Sequence, residues 1–399
     1  MLAHLDRLAR RMDEAGLDAF VATTFENVYY LTGVASQPAQ THPHGGRCLA
    51  VVVRDRLATP YFLTSRCDVD QFLDATVPLA GAVGFGTFHR ELADDAVLTP
   101  QEQRLYDVSV LGPAPATALD ALADVLREAG VAGGTVGIDE KGAPFGFLDA
   151  LGDALPGTRV VPAAEDLRWV RKVKTPAEVE RITASAAATE AGIRAAVAAA
   201  RPGATERELV REFELEVVRH GARPKFTLIK FGRAAVGGQQ RPSDEPLRRG
   251  DGIWFDVGCV LNGYWSDLAR TFVLGEPDAK LARHYDAVLA GEERGIAEAR
   301  PGMRGKELFD ITVDGVRRAG IPHYRRHHVG HGIGVEIYEP VLITPSSQDV
   351  IEIGTVVNIE TPYYEFGFGA VHVEDPFVVE SAGNRVLTTL DRGLGVIGG

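Results

Sequence analysis

RPGATERELVREFELEVVRHG (201–221) and RPGMRGKELFDITVDGVRRAG (300–320) align without gaps at an offset of 99. Arg-Pro-Gly opens both copies, and a Glu-Leu pair follows at 208–209 and 307–308. Val217/Val316, Arg219/Arg318 and Gly221/Gly320 complete the match. Each copy follows a long stretch of helical spacing and precedes strand-like runs. Downstream the match resumes at an offset of 104, where GDGIWFD (250–256) has the pattern of GTVVNIE (354–360). A strand that ends on Asp256 in one copy therefore ends on Glu360 in the other. Two copies of about 100 residues are too few for a solenoid. They predict two α/β halves packed about a pseudo-twofold axis, which brings the two acidic strand ends together.

Past Asp256 the chain reads VGCVLNGYWSD to Asp267, with Asn262-Gly263 as a hairpin turn between apolar runs. Past Glu360 it reads TPYYEFGFGAVHVE to Glu374, again a turn followed by a strand. Each half thus offers two carboxylates on neighbouring strands. A single acid of this kind is usually a solvated surface residue. Four at matched places in a duplicated frame call for another account, because converging carboxylates repel unless cations sit between them.

Between the halves lies RRHHVGHGIGVEIYEP (325–340). His327, His328 and His331 stand here among Gly330, Gly332 and Gly334, so the segment is not a helical zinc-protease motif. The glycines let a substrate or another stretch of backbone come close. One imidazole with four carboxylates suits two divalent ions, Mn²⁺ or Zn²⁺ first, with Fe²⁺ and Co²⁺ as alternatives. Two ions about 3.5 Å apart can activate water and polarise a carbonyl. That points to hydrolysis of an amide or a related bond.

These motifs resemble the pita-bread metallopeptidase superfamily, which includes methionine aminopeptidase, aminopeptidase P, prolidase and creatinase. The resemblance covers nearly the whole chain, and GLDAFVATTFENVYYLTGV (16–34) is similar to the start of the creatinase and prolidase N-terminal domain. It implies Asp256, Asp267, His331, Glu360 and Glu374 as ligands of two divalent ions, manganese first. Creatinase lacks that set, so its retention implies a metalloenzyme. The resemblance further implies that Glu360 relays the proton of the attacking water and that His327 hydrogen-bonds the carbonyl or developing oxyanion. Tyr338 would orient the substrate, with Gln239, His328 and His372 as further substrate contacts.

Three positions depart from the family pattern. Gln239 stands where a histidine is usual, Tyr338 where His-Glu-Pro would begin, and His372 where arginine is common. Gln239 cannot carry a proton near pH 7, and Tyr338, with a reference pKa near 10, is a poor general acid–base. A loop, QTHPHGGRC (40–48), carries His42, His44 and Arg47. In creatinase-like homodimers such a loop helps close the neighbouring subunit's site, although an ordinary surface loop is the plainer reading.

Before the duplicated region the chain alternates strand-like and helix-like runs, which predicts an α/β domain over 1–165 and a catalytic domain over 166–399. DAFVAT (18–23), RCLAVVVR (47–54), TPYFLT (59–64), YDVSVLG (106–112) and TVGID (135–139) read as strands. Ala118–Glu128, with Thr117 as N-cap, and 145–155 have helical spacing. GAVGFG (81–86) has the glycines but not the flanks of a phosphate loop, and reads as an ordinary loop. Thr175, Pro176 and Glu178 predict the start of a long helix reaching about Ala200. The fold class expected is an α/β N-terminal domain plus an α+β pita-bread catalytic domain with internal pseudo-twofold duplication.

Composition narrows the function classes. The 399 residues are 45% hydrophobic and 24% charged, which excludes a disordered chain. Acidic residues exceed basic ones, 55 to 42, for a net charge of −13. Such a surface repels phosphate backbones and anionic membranes, so neither is an expected partner. No apolar run approaches the roughly 18 residues of a membrane span. Leu2, Leu5, Leu8 and Met12 make one face of an N-terminal amphipathic helix whose interior charges are unlike a signal peptide. Cys48, Cys67 and Cys259 have no metal-type spacing, fit a reducing cytoplasm, and leave Cys259 as packing.

The first expectation is therefore a cytoplasmic, homodimeric, dinuclear-metal hydrolase acting on a small substrate, with Xaa-Pro dipeptides as the default. The second is a metal-dependent enzyme of the same fold acting on a non-peptide small molecule. A binding module with a vestigial site, as in histone chaperones of this fold, is the third.

Overall fold

Helices Glu206–Arg219 and Gly305–Ala319 form over the two copies of the repeat. Thr205 caps the first in a capping box with Glu208, while Glu307 accepts the Arg304 N–H at the start of the second. The turn before each helix bonds to a matched downstream residue. Gly203 N–H donates to Leu247 O (2.8 Å) and Gly302 N–H to Ile351 O (2.9 Å). Leu247 N–H then returns to Ala204 O (2.8 Å) and Ile351 N–H to Met303 O (2.9 Å). The offsets of 99 and 104 read from the sequence are thus the spacings of real tertiary contacts.

This computed structural model describes residues 2–42 and 47–398. The chain divides into two compact units, Met1–Arg171 and Lys172–Gly399, and the division follows a helix, Ala164–Arg171. Among the described residues no helix is long and apolar enough to cross a membrane.

The second unit is built on one sheet. Its main path runs Glu339–Leu342, Gly330–Gly332, Val356–Glu360, Glu374–Val378, Leu268–Leu274, Gly252–Leu261, Arg223–Phe231. The two halves join in the middle, where strand 268–274 lies antiparallel to strand 374–378 with Ala269 opposite Glu374. Alternation then sorts the side chains. Ile253, Phe255 and Val257 pack against Ile193, Leu209, Phe213 and Val217 of one helix pair. Val357, Ile359 and Phe377 pack against Val288, Leu308, Val313 and Val316 of the other. Asp256, Asn358 and Glu360 are left for the opposite face. The Asn262-Gly263 hairpin forms as expected, both residues having positive φ (49° and 77°).

The repeat reaches further back than its sequence match. Helix Pro176–Ala199 packs on helix 206–219, and helix Ala279–Glu298 packs on helix 305–319. A Cβ on Gly192 would lie 2.7 Å from Phe213 Cδ2, and one on Gly291 would lie 2.2 Å from Val316 Cγ2. The two glycines stand 99 residues apart, the repeat offset, so both helix pairs use the same close approach.

The first unit holds a six-stranded sheet in the order Gly81–Phe85, Tyr61–Ser65, Cys48–Val53, Ala19–Ala22, Thr135–Ile138, Arg159–Pro162. Strands 19–22 and 48–53 are buried along their whole length, as a sheet covered on both faces requires. Helix Ala118–Glu128 forms with the Thr117 cap. Two expectations are corrected. YDVSVLG (106–112) is not a strand: a Thr99–Glu102 capping box with Pro100 at the first turn starts helix Pro100–Tyr106, and a wider helical turn continues to Leu111. Its apolar alternation misled, because Leu111 is 67% exposed and nothing there needs a buried pleat. GAVGFG (81–86) is a strand rather than a loop, pairing in parallel with 61–65. Gly84 lies so near Arg66 that a Cβ would sit 3.0 Å from its Cα, so this glycine marks close packing of chain on chain.

Replacing Gly192 or Gly291 by alanine should each destabilise the protein by about 1–3 kcal/mol through overpacking. Urea unfolding checks this, and the loss should be larger at Gly291, where the added carbon comes closer and also crowds backbone atoms of Thr312 and Val316.

Candidate metal centre

Asp256 lies within strand 252–261, and Asp267 immediately precedes strand 268–274. Glu360 ends strand 356–360, and Glu374 starts strand 374–378 directly opposite it. His331 is the middle residue of strand 330–332, beside Asn358. Gly330 and Gly332 make that placement available. A Cβ on either would come within 2.2 Å of a backbone oxygen, of Asn358 and Pro340 respectively, so the glycines admit neighbouring backbone.

These side chains converge. Asp267, His331 and Glu374 each offer an atom within 4.8 Å of the others, and so do Glu360, His372 and Glu374. His331 Nε2 is 3.7 Å from Asp267 Oδ2, and its Nδ1 lies 3.0 Å from Gly332 O. That second contact assigns the proton to Nδ1 and leaves the Nε2 lone pair facing the carboxylates. His372 Nε2 lies 3.5 Å from Glu374 Oε2 and 3.8 Å from Glu360 Oε2. Asn358 Nδ2 donates to Glu374 Oε1, and Arg326 approaches Glu360 Oε2 at 3.5 Å.

The electrostatics are unbalanced. Burial raises the carboxyl pKa of Asp256 and Glu374 well above the usual range, and the other carboxylates add to it. Burial raises Asp267 too, against the pull of His331. Glu360 goes the other way: burial would raise it, but His328, then His372 and Arg326, hold it at about 2. Burial opposes protonation of His331, yet Asp267 wins and raises it. Burial, with Arg326, Arg270 and His328 adding to it against the pull of Glu360, takes His372 down to about 3, so this ring is neutral.

Asp267 Oδ1, His331 Nε2 and both ring nitrogens of His372 are buried without a hydrogen-bond partner among the described residues. Buried polar atoms are rarely left so. Oxygen and imidazole donors, converging and unpartnered, fit divalent cations.

The other expected site residues fall into three groups. His328 lies against Glu360, and exposed His327 stands edge-on to it with ring centroids 4.1 Å apart. Tyr338 stacks on the His331 ring at 3.9 Å, on a loop anchored by Glu339, which takes a 2.6 Å bond from buried Lys174. Burial and the surrounding carboxylates raise the Tyr338 phenol, so it stays protonated. Gln239 is exposed after the helical turn Gly232–Gly237 and makes no hydrogen bond to the cluster among the described residues. His42 and Arg47 belong to the first unit and are exposed, His42 bonding Thr41 Oγ1 at 3.0 Å; His44 lies outside the described residues.

Sequence reasoning passed over Arg326, Asn358 and Trp254. The last two were within reach of it, since each stands two residues before a carboxylate on the same strand and so shares its face. A groove of about 630 Å³ along helix 206–219, lined by Val210, Leu215, Val218 and Pro224 among others, shares no residue with the cluster.

Comparison with known proteins fits this geometry. The family profile described as metallopeptidase family M24 matches residues 180–381, and that of the creatinase/prolidase N-terminal domain matches 4–173. The chain belongs to metallopeptidase family M24. An Xaa-Pro dipeptidase of Pyrococcus furiosus is 33% identical over 230 residues, a match spanning 57% of this chain and 66% of that protein, just under two thirds. An uncharacterised peptidase of Bacillus subtilis is 25% identical over 386 residues, 96% of this chain and 97% of the relative. The solved Xaa-Pro dipeptidase from Bacillus anthracis superposes with a TM-score of 0.77 at 23% identity, covering 98% of this chain and 99% of that one, a likeness of fold. This M24 chain therefore has the expected pita-bread architecture.

A carboxyl that binds its proton more tightly when folded loses stability as pH rises above its unfolded pKa. Metal-free Asp256→Asn should therefore melt a few degrees above the metal-free parent at about pH 7.5, the gap closing toward about pH 4. Saturating Mn²⁺ should reverse the order, because the ligand is then missed. Scanning fluorimetry with and without chelator reads both.

Proposed function

We propose that the protein is a dinuclear-metal hydrolase of Xaa-Pro dipeptides or similarly small amides, working as a cytoplasmic homodimer with Mn²⁺ as its first expected ion. The observation that carries this reading is the buried convergence of Asp267, His331, Glu360 and Glu374, with unpartnered donor atoms, in an M24 chain. Asp256 completes the set from the neighbouring strand. When bound, two ions would supply Lewis acidity toward the scissile carbonyl and the attacking water.

The chain's own residues do the rest. Glu360, kept ionised by His328 and Arg326, accepts the proton that water gives up and hands it toward the leaving amine. Burial, His328 and Arg326 lower the pKa of His327, so its neutral ring donates an N–H to the carbonyl oxygen as charge develops there. Tyr338 orients the substrate by donating its phenol proton; it does not act as a base. Gln239 and His328 bind the far end of the substrate, and the loop that carries His42 and Arg47 contributes contacts from the other protomer of the dimer.

A second reading keeps the centre and changes the substrate to a non-peptide small molecule. It draws on Gln239 and Tyr338, neither of which exchanges a proton near pH 7 in these surroundings.

Mn²⁺-loaded protein should turn over some members of a panel of Xaa-Pro dipeptides and tripeptides, with Glu360→Ala lowering kcat by about 10²–10⁴-fold. Two bound ions with no turnover across the panel would move the assignment to the non-peptide reading. Protein that binds neither metal nor peptide substrate would favour a binding module.

A further inference from the structure

His372 differs from every other histidine of the site in how it is held. Its backbone is pinned on both sides by Thr271: the N–H donates to Thr271 Oγ1 (3.0 Å), and the hydroxyl donates to His372 O (3.1 Å). The ring lies on Trp254, centroids 5.7 Å apart and 21° from parallel. A Cβ on Gly238 would come within 2.8 Å of that indole, so the tryptophan is itself wedged in place. His372 is 1% exposed, and neither of its ring nitrogens has a hydrogen-bond partner among the described residues.

The direction of the ring follows from its neighbours. His372 lies in the short link between Gly369–Val371 and Glu374–Val378. Val371 and Val373 on either side of it pack into the core with Ile359 and Phe377, which leaves His372 and Glu374 to the opposite face. Nε2 then comes to 3.5 Å from Glu374 Oε2 and 3.8 Å from Glu360 Oε2. Two ligand atoms, each about 2.1 Å from one ion at tetrahedral angles, lie roughly 3.4 Å apart. His331 meets Asp267 at 3.7 Å, nearly the same spacing. The two histidines thus stand in matching relation to the carboxylates, one at each end of the shared Glu374.

We infer that His372 is a metal ligand, its Nε2 joining Glu360 and Glu374 around the second ion, in place of a substrate contact. This rests on the dinuclear centre proposed above. Each ion would then have one imidazole among carboxylates, a set that moves the preferred metal from Mn²⁺ toward Zn²⁺ or Fe²⁺. Stacking on Trp254 orients the ring, the task that the Gly332 carbonyl performs for His331.

X-ray absorption of the Zn²⁺-loaded wild-type protein tests this without any variant. Two imidazoles over two ions average about one per ion, whereas His331 alone would average about one half. His372→Phe keeps a ring against Trp254 and removes the nitrogen. It should retain one ion and weaken the second at least tenfold by titration calorimetry, with imidazole scattering halved. His372→Gln, which restores a neutral donor, should recover part of that loss. About half an imidazole per ion in the wild type, or two ions bound by His372→Phe with unchanged affinity, would overturn the assignment and leave the dinuclear centre standing. Wild-type protein that takes up no divalent ion would remove both.

Discussion

The two halves of the catalytic unit meet along one seam, and Arg270 holds it. Its guanidinium is fully buried and reaches Asp375 Oδ1 at 2.7 Å, Glu374 O at 3.0 Å and Ala269 O at 2.8 Å. Further bonds go to the carbonyls of Leu390 and Asp391. A buried cation is tolerable only when paired and hydrogen-bonded in this way. Because side chains alternate along strand 374–378, Asp375 faces the arginine while Glu374 faces the carboxylate cluster. One ion pair therefore sets where a shared acid of the candidate centre stands, and the cluster inherits its geometry from the seam.

Duplication copied the carboxylates but not their neighbours. Trp254 and Asn358 occupy matched places, two residues before Asp256 and Glu360. The tryptophan supports the His372 ring, whereas the asparagine bonds Glu374. Basic side chains are also unequally shared: Arg326, His328 and His372 all bear on Glu360, which alone among the four acids is pushed down. A symmetric scaffold thus carries an asymmetric field, with one acid ready to take a proton and three raised by burial and mutual repulsion.

Much of this was legible in the chain. The offsets of 99 and 104 predicted paired helices and a shared face for Asp256 and Glu360, because period-two alternation fixes the face on which each acid lies. The expected pair of strand ends is corrected, since Asp256 lies inside strand 252–261 while Glu360 ends its own. Thr117 marked a helix start, and Asn262-Gly263 marked a hairpin. Local signals failed where they competed: the alternation of 106–112 resembles a strand, but the Thr99–Glu102 cap upstream had already begun a helix.

Sequence by itself determined the repeat, the fold class and the convergence of the acids, since these follow from spacing along one chain. Only the tertiary structure decided what each histidine does. His327, His328 and His331 are near neighbours in sequence, yet one is exposed, one leans on Glu360 and one is buried beside Asp267. His372 is far from them in sequence, and it points at Glu360 and Glu374 because Thr271 and Trp254, from two other strands, fix its backbone and ring. A side chain's reach is set by its own strand, but its aim is set by whatever packs against it, and that contact exists only once distant strands are side by side.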